Sequence, residues 1–317
     1  MLSFVTGLAY SCFNNVCANI QLHYINVVNT NETLSRKKAH FVRMLRKRSV
    51  RHAQGRFVVE GARAVEQVIR NGVLETEFLV MTTSFLRNRE TRTNVSGTEY
   101  EDKDHDRLNV DQQQFPYSKI GVPIFTTTAS VFNQITDTDA AQGLLAVCNL
   151  PRPSRMEDIL SRSGTLLAVD QIQDPGNLGT LIRTAAWFGL TGVVVSPGTV
   201  DLFHPKVVRS TAGSTGVLPW FETDLAPFLD KAGMQKWQVN LLDNSNNSQP
   251  YGSVDPMGKD ILVVGNEANG ISEKVLKMGF RKLRIDPADT DSGVESLNAS
   301  IAAAIVMAHY FFARPSN

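Results

Sequence analysis

Five polar residues in the second half of the chain have side chains suited to binding and polarising a ligand: Asn177, Arg183, Glu267, Ser296 and Asn298. They follow three apolar segments that have the character of buried β-strands. Ligands of parallel α/β sheets bind at the edge where the carboxyl ends of the strands lie, and Asn177, Gly265 and the loop after Ile285 each fall shortly after a predicted strand. Arginine is a poor base, but its cation can stabilise a developing negative charge. The pattern therefore predicts a polar ligand site at that edge.

Apolar segments alternate with helical patterns from Leu166 onwards, which favours a parallel sheet covered by helices on both faces. The predicted strands are Leu166–Val169, Gly192–Val195, Val239–Leu242, Ile261–Val264 and Lys282–Ile285. The predicted helices are Leu178–Phe188, Asp224–Ala232, Glu273–Met278 and Ser296–Phe312. We therefore expect an α/β fold for this half of the chain.

The last predicted helix is rich in alanine, the best helix former, and its apolar residues recur at helical spacing. We expect Ser296 to be its N-cap, which would leave backbone N–H groups at the helix start to face a ligand. The helix is apolar nearly all round, so it should be buried on more than one side. An ordinary buried terminal helix and a helix that pairs with a second subunit both satisfy this pattern.

Three long motifs in this half resemble, in order, those of the SpoU family of RNA ribose 2′-O-methyltransferases, within the SPOUT superfamily. They are DPGNLGTLIRTA from Asp174, VGNEANGIS from Val264 and SLNASIAAAI from Ser296. The resemblance implies a parallel-sheet domain with a C-terminal trefoil knot whose loops bind S-adenosylmethionine. It also implies a homodimer in which Arg183 acts across the subunit interface.

Methyl transfer to a ribose hydroxyl needs aligned reactants and removal of the hydroxyl proton. By resemblance Arg183 activates that hydroxyl, either as a base beside other cations or as a cation that stabilises the alkoxide. The catalytic residues implied are Arg183, Asn177, Glu267, Ser296 and Asn298. The residues implied for S-adenosylmethionine are Gly265, Gly270, Ile285 and Leu297. From residue type alone, Arg183 would be a surface helix arginine, Asn177 a helix cap and Glu267 a solvated loop acid.

The segment Arg36–Arg56 is strongly cationic, because it contains nine Lys and Arg residues and no acid. We predict a helix whose cationic face contacts RNA phosphates, with an ordinary solvated face as the alternative. The region that follows, Gly55–Leu150, resembles the L30e-like RNA-binding domain through FVVEGARAVEQVI and AAQGLLAVC. The predicted RNA contacts are Arg36, Lys37, Lys38, Arg43, Arg46, Lys47, Arg48, Lys206 and Arg209.

The chain is expected to divide at the linker around Pro151–Pro153. We predict an extension over 1–32, an L30e-like substrate domain over 33–152 and the methyltransferase domain over 160–317. The polar segment Arg87–Gly121 is predicted to be a long insertion or flexible loop. Residues 1–30 lack Lys, Arg, Asp and Glu, and are interpreted as a disordered extension or an organelle-targeting segment. We expect an intracellular protein, in a mitochondrion or plastid if the segment is a targeting signal and otherwise in the cytoplasm.

Composition limits the other classes of function. Lys+Arg 32 against Asp+Glu 31 gives a net charge of +1, so a nucleic-acid site has to be a local patch. Three scattered cysteines argue against a disulfide framework or a closed zinc site, and no metal is expected. No segment reaches transmembrane length, so no membrane partner is expected.

Motifs of other enzyme classes are missing from the sequence. The glycines around Asn177 lack dinucleotide-binding spacing, and neither a P-loop nor a nucleophile elbow occurs. The main alternative is a catalytically inactive RNA-binding protein with the same fold. Between RNA substrates, the L30e-like pattern favours ribosomal over transfer RNA.

Overall fold

The computed structural model describes residues 31–93, 117, 121–138, 140–288 and 296–313. The predictions for residues 1–30 and for most of the insertion within Arg87–Gly121 lie outside the described residues.

The N-terminal domain is built on a mixed five-stranded sheet of order β1-β4-β3-β5-β2. Its strands are β1 Asn31–Thr33, β2 Arg56–Glu60, β3 Thr76–Thr82, β4 Ile124–Thr127 and β5 Leu144–Asn149. Its helices are α1 Arg36–Met44, α2 Arg48–Gln54, α3 Ala62–Asn71, α4 Thr83–Thr93 and α5 Ala129–Ile135. The strand β1 pairs with β4, so the sheet begins two residues before the predicted domain boundary at 33.

Two predictions for this domain are wrong in detail. The cationic segment is not one helix. Helix α1 ends at Met44, and the side chain of the next residue, Leu45, is buried beside that of Val42 in the core of the domain. Helix α2 then begins after the extended residue Lys47. Helix α4 covers the first residues of the predicted insertion. Helix α4 has few apolar residues, and two of them, Phe85 and Leu86, pack against the core. So few apolar residues give no clear helical pattern in the sequence.

The C-terminal half contains a seven-stranded sheet of order β10-β12-β9-β11-β6-β7-β8, in which every neighbouring pair is parallel. Its strands are β6 Gly164–Asp170, β7 Gly192–Val195, β8 Trp220–Glu222, β9 Gln238–Leu242, β10 Gln249–Pro250, β11 Lys259–Gly265 and β12 Arg281–Arg284. Its helices are α6 Met156–Leu160, α7 Pro175–Trp187, α8 Pro205–Ser210, α9 Leu225–Met234, α10 Glu273–Leu276 and α11 Ala299–Phe312. The predicted α/β fold with a parallel sheet is confirmed.

Alternate residues of the central strands face two different cores. Leu167 and Val169 of β6 pack in one core with α7 and α11, whereas Leu166 and Ala168 pack in the other with α6 and α9. This alternation is what a sheet covered on both faces requires. Strand β11 pairs with both β6 and β9, and β9 pairs in turn with β12. Because all these pairs are parallel, the carboxyl ends of β6, β11 and β12 lie at one edge of the sheet. The trefoil knot stays a prediction, because residues 289–295 lie outside the described part of the chain.

The two halves of the molecule share one hydrophobic core. Phe57 of β2 lies with its ring centroid 5.0 Å from that of Phe203, and Phe203 in turn lies 5.3 Å from Trp220. Val207 and Val208 of α8 are buried in the same cluster as Phe57. An isolated C-terminal fragment would expose these apolar side chains, so experiments on this protein require the full chain.

The described residues contain neither a candidate membrane span nor a candidate metal cluster. No helix among them is long and apolar enough to cross a membrane. No group of three or more His, Cys, Asp or Glu residues lies close enough together there to hold a metal ion.

Candidate active site

The start of α7 positions Asn177. Asp174 is the N-cap of this helix, and its carboxylate accepts a 2.8 Å hydrogen bond from the backbone N–H of Asn177, while Pro175 occupies the first turn. Asn177 itself is therefore not the cap. Its side chain, in the first turn of the helix, is free to project across the carboxyl edge of the sheet.

The Asn177 amide joins all three sequence motifs by hydrogen bonds. Its Nδ2 donates to Glu267 Oε1 at 2.9 Å, and its Oδ1 accepts from Asn298 Nδ2 at 2.9 Å. Asn177, Glu267 and Asn298 therefore meet at one edge of the sheet, and the catalytic roles assigned to them stay predictions. Because both ends of the Asn177 amide are occupied, Asn177 positions its neighbours and has limited capacity left for a ligand.

Asn298 caps the last helix. Its Oδ1 accepts from the backbone N–H groups of Ser300 at 2.9 Å and Ile301 at 3.3 Å. The prediction that Ser296 is the N-cap is wrong, since Ser296 lies two residues earlier on exposed chain and α11 begins only at Ala299.

Ser300 belongs to the same network and was missed in the sequence. Its Oγ lies 2.7 Å from Asn298 Oδ1 and 3.4 Å from Asn177 Oδ1, and the residue is almost fully buried. A hydroxyl in the first turn of a helix that is otherwise apolar was the available signal. Ser300 holds the Asn298 amide in the orientation that lets it donate to Asn177.

Glu267 is the anionic anchor of the network. Its carboxylate also accepts from the backbone N–H groups of Gln173 at 3.3 Å and Asp174 at 3.2 Å. Partial burial raises the pKa of the Glu267 carboxyl, but the hydrogen bond from Asn177 and those from the backbone together outweigh burial and hold the pKa below its ordinary value. The carboxylate is therefore ionised at neutral pH, and its anchoring is lost only as pH falls through that lowered pKa.

Arg183 lies apart from this network within one chain. It is exposed on α7, six residues after Asn177 and about 9 Å further along the helix axis. It makes no hydrogen bond or ion pair with another described residue. One turn later, Trp187 on the same face is 83% exposed, and on α11 Phe312 is 78% and Ile301 50% exposed. Within a single chain the fully buried residues of α11 lie on one face, so burial on more than one side stays a prediction.

The predicted cofactor residues surround the same edge of the sheet. Gly265 is the last residue of β11. A side-chain carbon at this position would lie 2.3 Å from the backbone of Gly270 and Ile271, so the loop that passes beside it requires glycine. Asn266 and Gly270 exchange backbone hydrogen bonds of 2.9 Å that close this loop. Leu297, directly before the α11 cap, leaves an apolar side chain 47% exposed beside the edge. An exposed apolar surface next to loop backbone suits a planar heterocycle such as adenine.

The predicted RNA-binding residues differ in whether they contact another group within the protein. Arg36, Lys37, Lys47 and Lys206 are exposed and have no ion-pair partner among the described residues. Arg48 lies 3.4 Å from Glu222, Arg43 lies 3.2 Å from the His40 ring, and Lys38 lies 4.3 Å from the centroid of the Phe125 ring.

Two of the predicted RNA-binding arginines have partners inside the protein. Arg209 pairs with Asp137 at 3.2 Å and with Glu60 at 3.7 Å, and Arg46 donates to the carbonyl groups of Gln134 and Thr136. These contacts account for both cations without RNA. Phosphate contact by Arg209 and Arg46 stays a prediction.

Replacing Glu267 with glutamine tests the anchor. Glu267→Gln keeps the shape, but its single amide oxygen can accept only the two hydrogen bonds that end on Oε1, and its NH2 group cannot accept from the backbone N–H of Gln173. Hydrogen bonds to charged groups are worth about 1.5–3 kcal/mol, so the loss of charge weakens the bonds that remain. We expect the rate of methyl transfer to fall about 10-fold to 100-fold, measured with S-adenosylmethionine and total RNA. The matched control is Glu273→Gln, which changes an exposed carboxylate that pairs only with Lys277 among the described residues. An equal loss in both variants would contradict the role of Glu267.

Comparison with known proteins agrees with this geometry. Residues 164–308 match the family model described as the SpoU rRNA Methylase family, and residues 37–146 match the MRM3-like substrate binding domain. The chain is 28% identical over 281 residues to the 23S rRNA (guanosine(2553)-2′-O)-methyltransferase RlmP of Bacillus subtilis, covering 88% of this chain and 97% of RlmP.

Solved structures show the same architecture. A putative RNA methyltransferase of the TrmH family from Porphyromonas gingivalis superposes with a TM-score of 0.66 at 28% identity, over 88% of this chain and 98% of that chain. The AdoMet-bound rRNA methyltransferase from Sinorhizobium meliloti superposes with a TM-score of 0.67 at 24% identity, over 88% of this chain and 95% of that chain, which supports the fold.

Proposed function

Because the chain belongs to the SpoU rRNA methylase family, we propose that it transfers a methyl group from S-adenosylmethionine to a ribose 2′-hydroxyl of RNA. The observation that carries this proposal is the hydrogen-bonded set Asn177, Glu267 and Asn298, which joins the three motifs at one sheet edge. Ribosomal RNA is favoured over transfer RNA, because the N-terminal domain matches a substrate-binding domain and RlmP, similar over most of the chain, acts on 23S rRNA. A protein that acts on such RNA works inside the cell.

S-adenosylmethionine would supply an electrophilic methyl group on a sulfonium. The backbone of Gly265, Ile285 and Leu297 and the Leu297 side chain would hold it at the sheet edge. The network around Asn177 fixes the loop after β6, the loop after β11 and the start of α11 relative to one another. Such rigid placement is the main contribution that a displacement of this kind requires, since alignment supplies roughly 7–11 kcal/mol of the barrier.

Arg183 would act on the ribose hydroxyl from a second subunit. Within its own chain it stands outside the network, yet it shares a face with Trp187, which is 83% exposed. The aromatic rings of Phe188 and Phe311 pack at 5.6 Å, so α7 and α11 together form one surface with Trp187, Ile301 and Phe312. An exposed apolar surface of this kind suits burial against a two-fold copy of itself. The dimer would bring each Arg183 towards the other subunit's network.

Methyl transfer itself is the direct test of the proposed function. Full-length protein is incubated with tritiated S-adenosylmethionine and total RNA, and ribose methylation is mapped with and without the protein. We expect label at a 2′-oxygen of ribosomal RNA. Cofactor binding without any transfer would favour the catalytically inactive RNA-binding protein, and label confined to transfer RNA would overturn the substrate assignment.

The exposed cations of α1 are expected to set the salt dependence of RNA binding. Arg36→Ala and Lys37→Ala together should lower affinity for RNA and reduce the slope of log K against log salt by about 0.7 for each lost contact with single-stranded RNA. The measurement is fluorescence anisotropy of labelled RNA at several salt concentrations. As a control, Lys277→Ala removes an exposed lysine that pairs with Glu273 in the other half of the chain. An unchanged slope in the α1 variant would exclude these phosphate contacts.

A further inference from the structure

A cavity of about 350 Å³ opens in the N-terminal domain, away from the catalytic network. It lies between α4 and α5, beside Thr82 at the carboxyl end of β3 and Gly143 just before β5. Its described lining contains no Lys, Arg, Asp or Glu. A neutral lining does not suit a phosphate group, whose binding requires cations or helix-end amides.

Three side-chain amides and an aromatic ring give this cavity its chemistry. Asn88 of α4 and Asn133 of α5 are exposed and have no hydrogen bond to another described residue. Gln142 accepts from the backbone N–H of Ala62 at 2.9 Å, which fixes its amide and leaves the Nε2 end to donate. Phe85 adds an aromatic surface at the wall. Amides that both donate and accept, next to an aromatic ring, are what recognise the edge and face of a nucleobase.

The floor of the cavity is tightly built. Thr82 Oγ1 lies 3.0 Å from Ser84 Oγ and accepts from the backbone N–H of Phe85 at 3.1 Å. Gly143 has φ +81°, and a side-chain carbon there would lie 2.5 Å from Thr82 Oγ1. The floor is therefore held by contacts within the protein and needs no ligand to form them.

The cavity stands next to the cationic surface of the domain. Helix α1 packs against α5, the helix that contributes Asn133 and Ala129 to the lining. RNA whose phosphates contact Arg36 and Lys37 on α1 would pass across α5 to the cavity mouth. Cations for the RNA backbone and an uncharged amide pocket for one base therefore lie on neighbouring helices of the same domain.

We propose that this cavity binds one unpaired nucleobase of the substrate RNA and so sets the register of the RNA on the protein. The inference rests on the proposed function, since it takes the ligand of the domain to be RNA. Base contacts contribute affinity that does not depend on salt, whereas phosphate contacts determine the salt slope. The two contributions can therefore be separated by experiment.

The test fills the cavity from an exposed position of the full-length protein. Ala129→Trp places a ring at the mouth, and Ser130→Trp puts the same ring on the next exposed residue of α5, outside the lining. Binding of five-nucleotide homopolymers of A, C, G and U is measured by anisotropy over a range of salt, with abasic ribose-phosphate oligomers of the same length as a second probe. Mononucleotides are titrated separately. No methylation is measured, so the result is independent of whether transfer occurs.

We expect Ala129→Trp to weaken binding of at least one homopolymer about tenfold with an unchanged salt slope, because stacking and edge contacts are lost. Ser130→Trp should bind as the wild type does, and the abasic oligomers should bind both variants equally. Equal homopolymer affinities in wild type and Ala129→Trp would overturn the proposal, as would a changed salt slope. Tight binding of a mononucleotide that RNA fails to displace would also overturn it, by making the cavity a site for a free nucleotide.

Discussion

Arg183→Ala is expected to lower the rate of methyl transfer by about 10² to 10⁴ while leaving the fold and S-adenosylmethionine binding nearly unchanged. That range is the usual contribution of a proton acceptor or of a cation that stabilises developing charge. The fold and cofactor binding should stay unchanged, because Arg183 is exposed and has no partner among the described residues whose loss would destabilise the chain. Rates are measured with labelled cofactor, cofactor binding by calorimetry and folding by circular dichroism.

The control for this variant is Arg162→Ala, which removes an exposed side chain that donates to the Asp158 carbonyl, far from the three motifs in sequence. Mixing then tests whether Arg183 acts across subunits. Arg183→Ala is combined with Leu297→Asp, a variant of the cofactor edge that should be inactive by itself. Mixed dimers would contain one intact composite site, so activity should return after subunit exchange. No recovery despite proven exchange would rule out the shared site and leave Arg183 acting within its own subunit or not at all.

The parts of the fold that could be predicted from the sequence are those with strong local signals. The bounds predicted for strand β7 match the structure, and those for β6, β9, β11 and β12 differ from it by at most two residues, because buried parallel strands form continuous apolar segments. Asn177, Glu267 and Asn298 were found because each stands in a long motif. Short elements such as β8 and α8 carry too few residues for a periodic pattern, and both were missed.

The parts that could not be predicted depend on contacts between distant residues. The N-cap of α11 is Asn298 and not the predicted Ser296. The Asn298 amide also bonds to Asn177, 121 residues earlier in the chain, and a local sequence pattern does not reveal that contact. Likewise, Arg51 belongs to a cationic segment that predicts a solvated or phosphate-binding face. Its side chain is only 1% exposed, because its partner Asp201 lies 150 residues further on and comes from the other half of the molecule.

Arg51→Met is expected to destabilise the protein by about 3–5 kcal/mol, the cost of breaking a buried ion pair from one side. The guanidinium bonds to Asp201, with Nε at 3.2 Å, and Nη1 donates to the carbonyls of Leu45 at 3.0 Å and Arg46 at 2.7 Å. Methionine fills much of the volume, but it leaves the buried Asp201 carboxylate without its cationic partner and the carbonyls of Leu45 and Arg46 without these donors. The measurement is the free energy of unfolding in urea, without RNA or cofactor, followed by tryptophan fluorescence and circular dichroism.

The second part of the test separates the ion pair from simple loss of volume. Asp201→Asn keeps the Oδ1 acceptor for the backbone N–H of Phe203 at 3.0 Å and removes the charge. Added to Arg51→Met, it should therefore recover part of the lost free energy, since no unpaired charge remains buried. The matched control is Arg48→Met on the same helix, whose ion pair with Glu222 joins the same two halves but is about half exposed, and exposed pairs contribute about 0–1 kcal/mol. If Arg51→Met costs no more than the roughly 0–1 kcal/mol expected for Arg48→Met, the buried pair contributes little to holding the two halves together.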